Sequence, residues 1–166
     1  MHQTVLDLIE RYKLKQHPEG GYYYEYYRCL ERLSQSSLPE RYDEPRSFST
    51  AIYYLLVEHS HSCFHRIKSD EIWHFYMGGS MTLVQLFPDG GVMRTVLGPG
   101  LEHDKTCVVL QGVWFAAYPN QGSDFSFVGC TVAPGFELHD LEIATRKNLL
   151  KYYPIAKDDI VRLTML

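Results

Sequence analysis

The chain has 166 residues and a formal charge of −4, with acidic and basic side chains mixed along its length. This length favours one domain, residues 1–166, whose core is large enough to enclose a pocket. The lack of a basic block argues against nucleic-acid binding, and no apolar run in the sequence approaches the ~20 residues of a membrane span. A polar stretch follows Met1, so we expect a cytoplasmic protein without a signal peptide.

The N-terminal part of the chain combines a helix, a strand and a polar loop. Residues 4–14 place apolar side chains at helical spacing, with Thr4 as the candidate cap. The segment HPEGG, residues 17–21, ends this helix, and the aromatic run at 22–28 predicts a strand. Residues 31–45 are polar and contain two prolines, which indicates a loop.

Most of the remaining chain alternates between short apolar runs and turn-forming residues, a pattern typical of a β-sandwich or barrel. The run Pro-Asp-Gly-Gly at 88–91 is a strong hairpin signal. The predicted strands cover residues 50–57, 64–67, 71–76, 81–87, 92–97, 106–109, 113–118, 125–132 and 136–144. A short terminal helix is predicted at 145–153.

The numbers of aromatic residues and the spacing of the cysteines limit the possible functions. The chain holds 13 Tyr, 8 Phe and 2 Trp residues, which suit either a half-exposed sheet or a ligand pocket. Its four cysteines are widely spaced and form no CxxC pair: Cys29, Cys63, Cys107 and Cys130. In a reducing compartment we expect buried thiols rather than disulfides or a zinc ligand set.

The segment from His65 to Gly78 carries the most specific pattern. A cupin barrel supplies metal ligands as H-x-H, then three or four residues, Glu, six residues and Gly. His65, Glu71 and Gly78 match that spacing, but Ile67 takes the place of the second histidine. Because side chains alternate along strands, His65 and Glu71 should converge from adjacent strands inside a barrel.

A second cupin motif, P-x-G-x-x-H, usually supplies the last metal ligand. Residues 110–115 match it with Gly112 in register, but Phe115 replaces the histidine. At most two of four usual ligands remain, His65 and Glu71, whereas zinc and non-haem iron sites use three or more. We therefore expect no tightly bound metal and no other cofactor; a divalent metal, if bound, would use these two residues.

Five segments in order resemble an uncharacterised family of the cupin superfamily, a domain of unknown function. They are HPEGGYYYEYYR (17–28), RSFSTAIYYLL (46–56), FHRIKSDEIWHFYMGG (64–79), GVWFAA (112–117) and VGCTVAPGFELHDLEIA (128–144). The resemblance implies an all-β fold, a cupin-type double-stranded jelly-roll β-barrel with a short N-terminal helix and a short C-terminal helix. It also implies an aromatic-lined cavity, a homodimer and distant kinship to the sugar epimerases of the rhamnose pathway, but no established activity.

His65 and Glu71 are the candidate catalytic residues. Imidazole titrates near neutrality, so His65 suits a pocket acid or base; the alternative is a hydrogen-bonded structural histidine. An unpaired Glu71 in a partly apolar barrel would have a raised pKa, which also suits an acid or base. The alternative for Glu71 is an ion pair with Arg66 or Lys68.

Further ligand contacts are expected from residues at the cavity mouth and on the predicted strands around it. These are Glu25, Tyr54, Trp73, Phe75, Phe115, Asp140 and Glu142. Asp140 or Glu142 could orient His65, as carboxylates do for catalytic histidines; the alternative is that both face solvent. The sequence predicts only a turn role for Glu19.

Three functions follow from these residues. The first is a metal-independent epimerase or isomerase that uses His65 and Glu71 on a small polar, sugar-like substrate, with Tyr54 and Lys68 as candidates for the tyrosine and lysine of the epimerases. The second is a binding module that holds a small metabolite without turnover. The third is a structural dimer with a vestigial pocket. A metal-dependent cupin enzyme is disfavoured by the ligand count.

Overall fold

The computed structural model describes residues 2–165, which are mostly β with three short helices. The strands are β1 Lys15–Gln16, β2 Tyr22–Arg28, β3 Arg32–Leu33, β4 Arg46–Ser47, β5 Thr50–Val57, β6 Ser62–Arg66, β7 Asp70–Gly78, β8 Met81–Leu86, β9 Val92–Leu97, β10 Thr106–Val109, β11 Trp114–Pro119, β12 Phe125–Ala133 and β13 Glu142–Ile143. The helices are α1 Gln3–Tyr12, α2 Arg146–Tyr152 and α3 Lys157–Arg162. No helix in this part of the chain is long and apolar enough to cross a membrane.

Two antiparallel sheets enclose the main core. One has six strands in the order β1-β2-β5-β12-β7-β10, and the other has five in the order β13-β6-β11-β8-β9. Buried side chains from both sheets meet in a single cluster that includes Tyr54, Trp73, Val128, Leu83, Leu97 and Phe115. The sheets therefore pack face to face, with side chains alternating between this core and the outer faces.

The helices cover the outer faces of the two sheets. Val5 and Leu8 of α1 pack on Leu55 and Phe127 of the six-stranded sheet. Side chains of α2 and α3, such as Leu149, bury the outer face of the five-stranded sheet. The apolar spacing of α1 is the one predicted, although its cap is the His2 side chain, which accepts a hydrogen bond from the Thr4 backbone.

The segment after β12 differs from its prediction. A strand at 136–144 is predicted, but Leu138–Asp140 forms a 3₁₀ turn and only Glu142–Ile143 pairs with a strand, β6. The cause is tertiary: the Asp140 carboxylate accepts two hydrogen bonds from the buried Arg46 guanidinium, which turns the backbone inward. The predicted loop at 31–45 contains β3, which pairs with β4. A second C-terminal helix, α3, was not predicted.

Candidate functional site

A cavity of about 330 Å³ opens between the sheets, within the size range of small-molecule sites. Its walls come from β1, β2, β5, β6, β7 and β12, from the turn at 17–21 and from the segment that follows β12. The lining residues are Lys15, His17, Glu19, Tyr23, Tyr24, Glu25, Arg28, Thr50, Ile52, Tyr54, His65, Ile67, Glu71, Trp73, Cys130, Val132, Phe136, Glu137 and Leu138. Aromatic rings and ionisable groups thus line the same cavity.

Glu71 is a buried carboxyl without an ion pair among residues 2–165. The two cations considered as its partners are engaged elsewhere: Arg66 binds Glu142 at 2.7 Å, and Lys68 lies 3.3 Å from Asp43. Burial, followed by the negative charge of Glu19, raises the pKa of Glu71 to about 7. The carboxyl therefore changes charge in the neutral pH range.

His65 lies on β6 with both ring nitrogens engaged. Nε2 is 2.9 Å from a carboxylate oxygen of Glu19, and Nδ1 lies 2.7 Å from the carbonyl oxygen of Cys63. Burial is the largest single influence and opposes the charged imidazolium, but the charge and hydrogen bond of Glu19, with the Cys63 carbonyl and the Glu71 charge, together raise the pKa of His65. A protonated ring donates to both partners, so neither nitrogen of His65 is left to take a proton from a ligand.

Glu19 is a cavity residue to which the sequence interpretation gave only a turn role. Burial alone would raise the pKa of its carboxyl, yet the charge and hydrogen bond of His65 lower it to about 2. The Ser62 hydroxyl donates a second hydrogen bond to it at 2.9 Å. At Gly20, φ is +112° and a Cβ would collide with the His61 carbonyl, so only glycine fits. A carboxylate followed by two glycines is the signal of this tightly packed turn.

Trp73 and Tyr54 form an aromatic wall of the cavity. Their rings meet edge to face, with centroids 5.5 Å apart. The Tyr54 hydroxyl donates to the carbonyl of Gly20 at 2.6 Å. The indole Nε1 of Trp73 is buried and has no hydrogen-bond partner among the described residues. Such an unpaired buried donor is uncommon in proteins.

Arg28 ties together two sides of the cavity. Its guanidinium donates to both carboxylate oxygens of Glu25 at 2.8 and 2.9 Å, and to Glu137 at 2.7 Å. It also donates to the carbonyl of Phe136 at 2.9 Å, so β2 and the segment after β12 are joined through one side chain. Lys15, on the edge strand β1, lies 5.5 Å from the ring centre of Tyr23.

Comparisons with known proteins agree with this architecture. A family model described as Cupin superfamily (DUF985) matches residues 6–144. The chain belongs to this cupin family. A hypothetical protein from Leishmania major is 27% identical with a TM-score of 0.85, covering 97% of this chain and 98% of that one. A protein from Shewanella oneidensis is 34% identical with a TM-score of 0.84, covering 96% of each chain.

More distant cupins are similar in fold alone. Oxalate decarboxylase from Bacillus subtilis is 13% identical with a TM-score of 0.55, covering 89% of this chain and 36% of that chain. No curated protein matches this sequence. The predicted cupin family is therefore confirmed, while kinship to the rhamnose-pathway epimerases stays a prediction.

Several ligand contacts predicted from the sequence lie in or beside the cupin cavity. Glu25, Tyr54 and Trp73 line it. Phe115 is fully buried behind the lining, where its ring lies 4.1 Å from that of His65. Phe75 packs against the core and does not belong to the lining residues.

The two acidic residues near the C-terminus lie outside the cavity. Asp140 is buried against Arg46, with oxygen–nitrogen distances of 2.7 and 3.0 Å. Glu142 is exposed and pairs with Arg66. Neither reaches His65, whose carboxylate partner is Glu19, because the turn at 138–140 carries Asp140 towards Arg46 instead.

The donor set of the cavity does not fit a cupin metal centre. Ile67 and Phe115 offer no ligand atom at their cupin positions, and His65 has both nitrogens in hydrogen bonds. In the described part of the chain, one group of three candidate ligands has its atoms within 4.8 Å of one another: Asp43, His139 and Asp140. The Arg46 guanidinium already lies within 3.0 Å of all three, so a cation occupies that cluster.

Proposed function

We propose that the cavity binds a small polar ligand and that Glu71 exchanges a proton with it, as in a metal-independent epimerase or isomerase. The observation that carries this proposal is a buried, unpaired carboxyl whose pKa is raised to about 7 at the cavity wall. A group with such a pKa is present in both protonation states at neutral pH. It therefore suits general acid–base chemistry on a carbon next to a carbonyl.

The His65–Glu19 pair would set the acidity of Glu71 rather than react. The negative charge of Glu19 raises the pKa of Glu71, whereas the positive charge of His65 lowers it. Because both ring nitrogens of His65 donate to protein oxygens, we assign His65 a positioning role. Tyr54 and Trp73 would supply the apolar surface on which a ring or carbon chain of the ligand packs.

Deuterium exchange tests this proposal. A panel of aldoses, ketoses and nucleotide sugars is incubated with the protein in deuterated water, and deuterium at carbon is followed by proton NMR. We expect incorporation next to a carbonyl and a loss of roughly 10²-fold or more in Glu71→Gln. The matched control is Glu142→Gln, an exposed glutamate outside the cavity. Exchange at the same rate in both variants would rule out the role of Glu71.

A second candidate is a binding module without turnover. Glu71 is the one carboxyl among the described lining residues that has no ion pair, since Glu19 pairs with His65 and both Glu25 and Glu137 pair with Arg28. An epimerisation that uses two bases needs a second proton-transfer group on the other side of the substrate. Tight binding of a panel member without deuterium incorporation would favour this alternative.

We also propose that the protein forms a homodimer. The resemblance to the cupin family implies a jelly-roll barrel that associates as a homodimer, and exposed tyrosines on β2 offer a surface for it, namely Tyr24, Tyr26 and Tyr27. Light scattering measures this directly. We expect twice the chain mass of 19.3 kDa, and a species at the mass of one chain would contradict the dimer.

A further inference from the structure

Lys15 is the one cation of the cavity lining that has no ion pair within residues 2–165. Arg28 binds two of the lining carboxylates, and the ring of His65 binds a third. The Nζ atom of Lys15 lies 5.5 Å from the ring centre of Tyr23, a cation–π contact that holds the ammonium group beside the cavity. An ammonium group carries three donors and no acceptor, so it can bind an anionic oxygen of a ligand.

His17 places a second donor beside the same aromatic ring. Its ring centre is 4.6 Å from that of Tyr23, edge to face, and it lines the cavity. The Nδ1 atom accepts a hydrogen bond from the backbone N–H of Glu19 at 3.3 Å, which fixes the neutral tautomer with its proton on Nε2. Burial lowers the pKa of His17, and the charge of Glu19 offsets this effect only in part, so the ring stays neutral at pH 7.

The Nε2–H group of His17 has no acceptor among the described residues. It differs from a sealed core donor, because it is not one of the buried polar atoms that solvent cannot reach. Only 7% of the side chain is exposed, and the exposed part belongs to a ring that lines the cavity. A molecule in the cavity can therefore meet this N–H, which acts only as a donor.

The acidic groups of the lining leave room for a negative charge at this end of the cavity. Glu71 lies on β7, three strands away from β2 in the order β2-β5-β12-β7, or about 14 Å along the sheet. Glu25 and Glu137 both accept hydrogen bonds from Arg28. Glu19 is paired with an imidazolium and accepts from a hydroxyl as well. The unpaired cation and the unpaired carboxyl thus lie at opposite ends.

We infer that Lys15 and His17 form an oxyanion subsite at the β1–β2 end of the cavity, so that the ligand carries a carboxylate or phosphate group on a small polar body. This inference rests on the proposed binding of a small polar ligand and narrows its class. Lys15 supplies the charge, and His17 supplies a directed hydrogen bond. A ligand ammonium group would be repelled by Lys15 and would leave the imidazole N–H unpaired.

Calorimetry with probes that share one sugar ring tests the subsite. The probes are glucose, glucuronate and glucose 6-phosphate, with glucosamine as the cation. We expect an anionic probe to bind at least about tenfold more tightly than glucose, and the tighter of the two shows whether the subsite prefers carboxylate or phosphate. Lys15→Met should remove this preference and leave the affinity for glucose unchanged. The matched control is Lys151→Met, because Lys151 also lies over a tyrosine ring, 5.3 Å from Tyr152, but outside the cavity lining.

Nitrogen NMR of the imidazole rings tests the role of His17. The chain has eight histidines, and the signals that disappear in His17→Phe belong to this residue. We expect a proton on Nε2 and none on Nδ1 at pH 7. The tighter anionic probe should shift the Nε2 signal, whereas glucosamine should leave it in place.

Four results would overturn the inference. They are glucose binding as tightly as both anionic probes, anion binding that is unchanged in Lys15→Met, a charged His17 ring at pH 7, and no binding of either anionic probe up to its solubility limit. If His17→Phe does not fold, the exposed Lys15→Met substitution decides alone.

These outcomes differ from those that test proton transfer. Anion-selective binding that depends on Lys15, without deuterium incorporation, would remove the proposed catalysis and leave the subsite intact. Conversely, incorporation that depends on Glu71 but has the same KM for glucose and its anionic derivatives would remove the subsite and leave the catalysis.

Discussion

Replacing Glu71 by glutamine should stabilise the protein, by an amount that grows as pH rises from 4.5 to 7 and is complete above pH 7. The native carboxyl has a pKa of about 7, against an ordinary value of 4.5 in the unfolded chain. At about 1.4 kcal/mol for each pH unit between the two values, the charged carboxylate costs the native state about 3 kcal/mol. Glutamine has nearly the same shape and no charge, so it removes that cost.

The pH dependence follows from where each state releases its proton. Below pH 4.5 the native and unfolded chains both keep the Glu71 proton, and the substitution should change little. Between pH 4.5 and 7 the unfolded chain has released a proton that the native state still holds, so native stability falls as pH rises. Above pH 7 both states are ionised, and the full gain of about 3 kcal/mol from Glu71→Gln should be present.

Urea unfolding at pH 5 and pH 8 measures this gain. The control is Glu142→Gln, whose exposed pair with Arg66 should contribute less than about 1 kcal/mol and should vary little with pH. A gain in Glu71→Gln of the same size at both pH values, or a loss of stability at pH 8, would refute the reasoning that burial of an unpaired carboxyl raises its pKa.

Two further substitutions test the buried ion pairs. Glu19→Gln leaves the His65 imidazolium without its partner and should cost about 3 kcal/mol at pH 7 in urea unfolding. Because the pKa of Glu19 is about 2, that cost should shrink as pH falls from 4.5 towards 2, and a cost independent of pH would contradict the pairing. Arg46→Ala leaves Asp140 buried without its main partner and should cost about 3–5 kcal/mol by the same measurement, against less than about 1 kcal/mol for Arg66→Ala at the surface. Equal costs for the two arginines would contradict this difference in burial.

Local patterns predicted most of the sheet. The strands 22–28, 50–57, 92–97 and 106–109 begin and end at the predicted residues, because apolar alternation and turn residues decide these boundaries locally. The strand predicted at 136–144 is wrong because contacts with Arg46 bend the backbone of this segment. Arg46 is distant in the sequence, and no local pattern predicts that it is buried.

The sequence predicted only part of the candidate site. Motif spacing correctly brought His65 and Glu71 to one cavity, because strand alternation turns both side chains inward. The predicted arrangement on adjacent strands is wrong, since β6 and β7 belong to different sheets. Motif spacing gave no indication that Glu19, distant in sequence, would approach Nε2 of His65. From the local sequence, this segment predicts only a glycine-rich turn. The Glu19 carboxylate gains its partner, His65, only when β6 packs beside the turn.

The turn that carries Glu19 connects the N-terminal segment to the electrostatics of the cavity interior. Helix α1, the short strand β1 and this turn form a continuous stretch that lies against the six-stranded sheet. N-terminal segments are frequent sites of local opening in proteins. If this one opened, the partner of His65 and the negative charge beside Glu71 would leave together. Because the charge of Glu19 raises the pKa of both His65 and Glu71, such a local opening would favour the release of protons from the cavity.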